Sequence, residues 1–301
     1  MNSIGEAHAE FLCVSPFELP ARRRIDSAVE WAQALCQHLV SKREVPIRAV
    51  ELLNEHLSAV MHDGFVQSSI RYVATANCTE VRDALFGYLE RFVEGHEREI
   101  GEVLPRLNGS DALRLLGLLF ELKTVDALEA MGDGLRSPFE LVRLQTLAYL
   151  TMVPGLVAWE WIAPLLVDPA PALRRQALEL CVEWGFPEAG FPLSRRIRGD
   201  EFDRLSDWEK RLLFEAASSV SFKRAEILAI AVLEDVRLFS AAHDQSRAIA
   251  AEFLARSDAQ DALEALERHA ARRFSNAPSV RSVAERSAQV VRRRSTRPPA
   301  S

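Results

Sequence analysis

The chain has 301 residues, 48% of them hydrophobic and 8% aromatic, and its 43 acidic against 37 basic side chains leave a net charge of −6. That composition supports a sizeable core built on Leu and Ala, and it excludes a chain that is basic over its whole working surface, as a dedicated nucleic-acid domain would be. No stretch reaches the roughly 18 uninterrupted apolar residues of a membrane span; Ala225–Phe239 is broken by Glu226, Glu234, Asp235 and Arg237.

In chain order, residues 1–24 read as a lead-in, because Pro16, Pro20 and Arg22-Arg23-Arg24 oppose a packed helix before about Ile25. Helices are predicted near 25–41 and 46–61, the first burying Ala28, Trp31, Ala32, Leu35 and Leu39. A short helix between Gly64 and Asn77 is followed by helices near 81–93 and 97–104. Asn108-Gly109-Ser110-Asp111 is a turn and N-cap cluster, and the very apolar Leu113–Leu122 after it is expected to be central. Helices near 125–135 and 139–152 precede the break at Pro154-Gly155, and helices near 159–167 and 171–184 follow it. From Gly185 to Ser206 the pattern loosens, with Pro187, Gly190, Pro192 and Gly199 close together and an extended loop expected around 199–206. Ser206 and Glu209 stand at the spacing of a capping box that opens a helix near 207–219. Helices near 222–236, 243–256, 258–273 and 278–293 complete an all-α reading, and residues 294–301 form a tail expected to be disordered.

Within this series one unit occurs twice in clear form. Ser137-Pro138-Phe139-Glu140-Leu141-Val142-Arg143 and Asp168-Pro169-Ala170-Pro171-Ala172-Leu173-Arg174 each read as a turn and then a helix that opens on an apolar–Arg pair. The prolines suit a turn or a first helical residue, where no backbone N–H is needed, and Ser137 and Asp168 are plausible N-caps. Gly185 is placed to take the left-handed conformation at the end of the second helix. In the same phase fall Arg48, Arg82, Arg114, Arg143, Arg174, Arg211, Arg247 and Arg281, separated by 34, 32, 29, 31, 37, 36 and 34 residues. Periods in this range mark stacked repeats, in which each hairpin buries its apolar face against the next.

The Asp168-to-Arg174 spacing, the Leu-Arg opening, the Ala177-Leu178 pair and the preceding helix Trp159–Val167 resemble the HEAT repeat in its short bacterial form. The resemblance is strongest over 137–185 and implies an all-α solenoid of about seven stacked antiparallel hairpins over 25–293, with the Arg-bearing helices lining its concave side. It also implies that the arginines form a structural ladder, and a pair between Asp168 and Arg174 is expected on that basis. Some HEAT-like proteins are DNA glycosylases or bilin lyases, but no residues here carry either chemistry over.

The remaining signals bear on function. Cys13, Cys36, Cys78 and Cys181 are scattered without a CxxC, and the start of the chain lacks a basic region followed by an apolar core, so a reduced, cytoplasmic protein is expected. Cys36, His38, His56 and His62 lack the spacing of a zinc site, so no metal is expected. No P-loop, GxGxxG, GxSxG or HExxH occurs, and the chain is read as a non-enzyme without a cofactor. Residues 268–301 hold nine Arg and one acid, Glu285. Arg272, Arg273, Arg292, Arg293 and Arg294 are therefore the candidate nucleic-acid contacts. Of the tryptophans Trp159, Trp161, Trp184 and Trp208, Trp161 is expected to be the exposed one, and with Arg175 it is the candidate partner contact. The leading expectation is a non-catalytic module that binds a protein partner; nucleic-acid association through the basic end is the alternative.

Overall fold

The computed structural model describes residues 21–153, 157–237, 240–272 and 276–295. Most of the lead-in, Cys13, Pro154-Gly155, Arg273 and residues 296–301 lie outside the described residues. The chain divides into two compact units at Val157/Ala158. Among the described residues there are sixteen α-helices and no strand.

The first unit holds α1 (Ala21–Leu39), α2 (Ile47–Ala59), α3 (Val66–Thr75), α4 (Thr79–Phe92), α5 (Glu97–Val103), α6 (Gly109–Leu122), α7 (Val125–Met131) and α8 (Glu140–Thr151). The second holds α9 (Trp159–Leu165), α10 (Pro171–Trp184), α11 (Gly190–Arg198), α12 (Asp207–Val220), α13 (Phe222–Glu234), α14 (Ala241–Leu254), α15 (Gln260–Ala271) and α16 (Pro278–Ser295). Inside each unit most helices pack on a chain neighbour, and many pack on the next helix but one. The second unit thus has one row running α10, α12, α14, α16 beside another running α11, α13, α15. In the first unit α2 packs on α4 and α6 on α8, beside a row of α3, α5 and α7.

The apolar spacing explains these contacts. In α4, Val81, Ala84, Leu85, Tyr88 and Leu89 recur at three- and four-residue steps and are all buried, which places one face on the core. Each fully buried leucine contributes about 1.5–3 kcal/mol. Gly101 in α5 is required by close packing, since a Cβ there would lie 2.7 Å from the carbonyl oxygen of Ala130 in α7's last turn. Gly185 ends α10 at φ +59°, the left-handed conformation expected of it.

Several expectations are corrected. α1 begins at Ala21, directly after Pro20, and not near Ile25. The region from Gly185 to Ser206 contains a helix, α11, where a loose connection was expected. Gly190 and Pro192 sit in its first turn, where neither breaks a helical hydrogen bond, and Leu193 and Ile197 are buried four residues apart. The helix buried nearly all round is α14, with Ala248, Ile249, Ala250, Ala251, Phe253, Leu254 and the polar His243, Ser246 and Arg247 all inside. α6 buries one face, through Ala112, Leu115, Leu116 and Leu119. Asn108 caps α6 by accepting from the backbone N–H of Asp111, as its sequence cluster suggests. Arg294 lies in helix α16, not in a disordered tail.

Two buried histidines carry a stability signature. His56 in α2 is fully buried with neither ring nitrogen partnered, against the edge of Trp31 at 4.8 Å. His269 in α15 is fully buried beside the guanidinium of Arg247. Burial lowers both to about 4, and in His269 the charges of Arg247 and Arg272 add to the effect. An unfolded histidine titrates near 6.5, so between that value and 4 the unfolded chain takes a proton that the folded chain refuses. The associated stability is intact above pH 6.5 and drains away as pH falls towards 4, by about 2–3 kcal/mol per histidine at pH 4.5. Urea unfolding of the parent and of a His56→Leu/His269→Gln variant at pH 7 and 4.5 checks this. The parent should lose more stability on acidification, and superimposable losses would show that these rings do not stay neutral in the fold.

Candidate interaction site

The arginines singled out by spacing occupy different helical positions, and the position decides what each does. Arg82, Arg143 and Arg174 are the fourth residues of α4, α8 and α10. A long side chain there slants back towards the helix start and reaches the turn before it. Each Nη1 donates to the carbonyl six residues upstream: Arg82 to Ala76 at 2.8 Å, Arg143 to Ser137 at 2.8 Å and Arg174 to Asp168 at 2.9 Å. In α12 the fourth residue is Lys210, which is buried and donates to the carbonyl of Asp203 at 3.0 Å. Burial lowers its pKa below the ordinary lysine value. The rung of this helix is therefore Lys210 and not Arg211, which sits half-exposed one residue later and pairs with Glu252 at 2.9 Å.

Two of these rungs also take an acid from the following even-numbered helix, in each case its third residue. Arg82 Nε lies 3.1 Å from Asp111 of α6, and Arg174 Nε lies 2.8 Å from Glu209 of α12. Arg48 and Arg114 fall at the second and sixth helical positions and are not rungs. Arg48 is exposed beside Glu51 and Glu55, whereas Arg114 reaches Asp83 and Glu90, each at 2.8 Å, with its guanidinium 4.3 Å from the Phe86 ring centre. Arg247, the seventh residue of α14, is fully buried and ties the carbonyl of Leu233 (3.0 Å), Asp244 (3.2 Å) and Asn276 (2.7 Å) together.

The densest polar cluster is centred on Glu209, which is 1% exposed. Arg174 grips it with Nε and Nη2, and Arg196 Nη2 donates to Oε1 at 2.6 Å. Hydrogen bonding to Glu209 raises Arg174 above its usual pKa. The expected capping box fails for the same reason, since Glu209 is held by two guanidiniums and Ser206 makes no side-chain cap. The expected carboxylate pair between Asp168 and Arg174 is also replaced. Asp168 offers Arg174 its backbone carbonyl, and its Oδ1 accepts from the N–H of Ala170.

On the surface of α10, α12 and α14 most charges are paired among themselves, while Glu183, one turn beyond Glu179, is exposed without an ion pair. Arg175 bonds Glu179 at 2.8 Å and lies 5.9 Å from the ring centre of Trp208. Arg211 of α12 bonds Glu252 of α14, and Arg256, just beyond α14, bonds Glu215 of α12 at 2.9 Å, giving two bridges of opposite polarity. Beneath them a dent of about 140 Å³ is floored by Phe214, Ile249 and Phe253. Trp161 is half-buried, contrary to expectation; Trp184 and Trp208 are the more exposed tryptophans, Trp208 at 37%.

A second polar group was not legible in sequence. His243 Nδ1 lies 2.9 Å from Asp203, its Nε2 lies 2.7 Å from the carbonyl of Asp235, and Arg237 spans both aspartates around a cavity of about 130 Å³. Burial opposes ionisation of Asp203, but hydrogen bonds from Ser246 and His243 and nearby positive charge hold its carboxyl below the usual value. Both ring nitrogens of His243 are engaged, so the pair locks two turns together and leaves no nitrogen to act on a substrate.

Two arginines of the basic end meet carboxylates of neighbouring helices and a third meets a backbone carbonyl. Arg292 bonds Glu267 at 2.6 Å, Arg268 bonds Glu234, and Arg294 donates to the carbonyl of Ala255. Arg293 is also engaged, while Arg272 is exposed. Among the described residues no group of three or more His, Cys, Asp and Glu side chains converges as metal ligands, and no helix is long and apolar enough to cross a membrane. No family model, curated protein or solved structure shows a significant match to the chain.

The triad yields a direct test. Glu209→Ala leaves two partly buried guanidiniums without their carboxylate and should destabilise the fold by about 3 kcal/mol. Denaturant-unfolding cycles should couple Arg174 strongly to Glu209 and only weakly to the Asp168 side chain. The reverse order would return the ion pair to the carboxylate of Asp168.

Proposed function

We propose that this chain is a non-catalytic protein-binding module, a HEAT-like α-solenoid that holds a segment of a partner protein across the surface of α10, α12 and α14. The observation that carries the reading is the self-paired strip. Arg175–Glu179, Arg211–Glu252 and Arg256–Glu215 cancel one another around Trp208 and the dent over Phe214 and Phe253. A neutral strip has little attraction for a phosphate chain, whose binding rests on released counterions. It suits a protein segment that sets one apolar side chain into the dent, stacks on Trp208 and exchanges partners with the flanking charges. The two rows of alternating helices and the cation at the fourth helical position support the solenoid reading, since both repeat from hairpin to hairpin.

A partner held in this way should depend on Trp208 and Arg256, neither of which holds the core. Quantitative affinity capture from the native host, at moderate salt, compares the parent with a Trp208→Ala/Arg256→Ala variant. Recovery of at least one protein should fall tenfold or more while the melting temperature stays within a few degrees. Equal recovery of every captured protein would remove the strip as the docking surface.

A further inference from the structure

The row of α11, α13 and α15 has a surface that neither the polar clusters nor the strip on α10, α12 and α14 uses. In α11, Leu193 and Ile197 turn inward and Arg196 reaches Glu209. Phe191, Arg195 and Arg198, at steps of four and three, share the outward face and are all exposed, Phe191 at 78%. On α13 the exposed Lys223, Arg224 and Ile227 face outward, Ile227 at 50%. The two helices pack on each other and begin side by side. A Cβ on Gly190, the first residue of α11, would lie 3.8 Å from Nη1 of Arg224. The Arg224 guanidinium therefore sits at the start of α11, one residue from Phe191.

Among the described residues, none of Arg195, Arg198, Lys223 and Arg224 has an ion pair or a side-chain hydrogen bond. Elsewhere on the unit Arg175, Arg211, Arg256 and Arg268 each meet a carboxylate. α11 contains no acid. Of the two acids in α13, Glu226 is buried and bonded to Ser257, and Glu234 pairs with Arg268. Glu188, Asp200 and Glu201 are exposed but lie outside α11, in the segments before and after it. Four cations held together without counter-charge set up a positive field, and a surface of fixed negative charge relieves it.

We propose that the outward face of α11 and α13 seats on an anionic lipid surface. Phe191 and Ile227 enter the headgroup boundary, and the four cations meet lipid phosphates. The two apolar side chains decide between this occupant and others. They stand out from their helices instead of flooring a recess, so a docked peptide would cover little of them. Ile227, unlike an aromatic ring, gives a nucleic-acid base nothing to stack on. A bilayer takes projecting side chains, because apolar groups sink about 5–10 Å into its headgroup boundary while basic neighbours stay at the anionic surface. The contact is peripheral, since no described helix is long and apolar enough to cross a membrane. It does not depend on the protein-binding reading of the strip around Trp208.

The full chain is floated with vesicles of equimolar phosphatidylcholine and phosphatidylglycerol, and with vesicles of phosphatidylcholine alone, at low and moderate salt. Binding is expected to the anionic vesicles only, and weaker at the higher salt. Arg195→Gln/Arg224→Gln should lower the partition coefficient about tenfold or more, and Phe191→Ser about threefold or more at unchanged charge. Trp208→Ala should leave it unchanged, which separates this face from the strip. Insertion has its own readout: Phe191→Trp should gain quenching by lipids brominated near the headgroup, beyond that of the parent's tryptophans. The substituted side chains are exposed and the arginines unpaired, so each variant should fold as the parent does, and circular dichroism checks it. Equal binding to both vesicle types, no binding to either, or binding indifferent to the arginine and Phe191 substitutions overturns the proposal. So does polyglutamate or a single-stranded oligonucleotide that binds through Arg195 and Arg224 where the anionic vesicles do not.

Discussion

A carboxylate stripped of water must be surrounded by donors, and Glu209 is surrounded by two guanidiniums, from Arg174 and Arg196. The constraint works in both directions. Each arginine also reaches a backbone carbonyl of the turn before α10 or next to it, Asp168 for Arg174 and Leu166 for Arg196. One buried acid therefore fixes α10, α11 and α12 in register, together with the turn they share. Such a cluster does little for net stability compared with an apolar replacement, because desolvating three charges offsets most of their attraction. What it supplies is uniqueness: a helix shifted by one residue would leave an uncompensated charge inside. The apolar face of α10 has no comparable preference, since its small and aliphatic residues tolerate several registers.

Much of this was legible in sequence, and the failures have physical causes. The roughly thirty-residue spacing of arginines fell on every second helix, from α2 to α16. Spacing alone did not identify the rungs. Reach depends on the position of a residue in its own helix, and Arg211 and Lys210 differ by one step of about 100° around the helix axis. That step separates a half-exposed surface pair from a buried lysine. Glu209 was misread because a capping box and a buried triad make the same local pattern, and the partners that decide between them lie 13 and 35 residues away. α11 was missed because Gly and Pro were weighed as breakers, although in a first turn neither removes a helical bond. The His243–Asp203 pair spans 40 residues and leaves no local pattern at all.

The same separation bears on the charge counted at the basic end. Residues 268–301 look like a cationic patch when read as a string, but Arg268 and Arg292 meet Glu234 and Glu267 across neighbouring helices. In a layered helical array the nearest charge to a side chain usually lies one helix away and not one residue away. Net charge of a segment then says less about its field than the row in which its helix packs.

Pairing between helices also governs the face shared by α10, α12 and α14. On α10, α12 and α14 Arg175, Arg211 and Arg256 each have a carboxylate partner, so a ligand gains little from these cations unless it displaces or rearranges existing bridges. On the proposed reading the exposed Trp208 ring offers the apolar surface and the bridges set orientation, because Phe214 and Phe253 lie almost wholly buried beneath them.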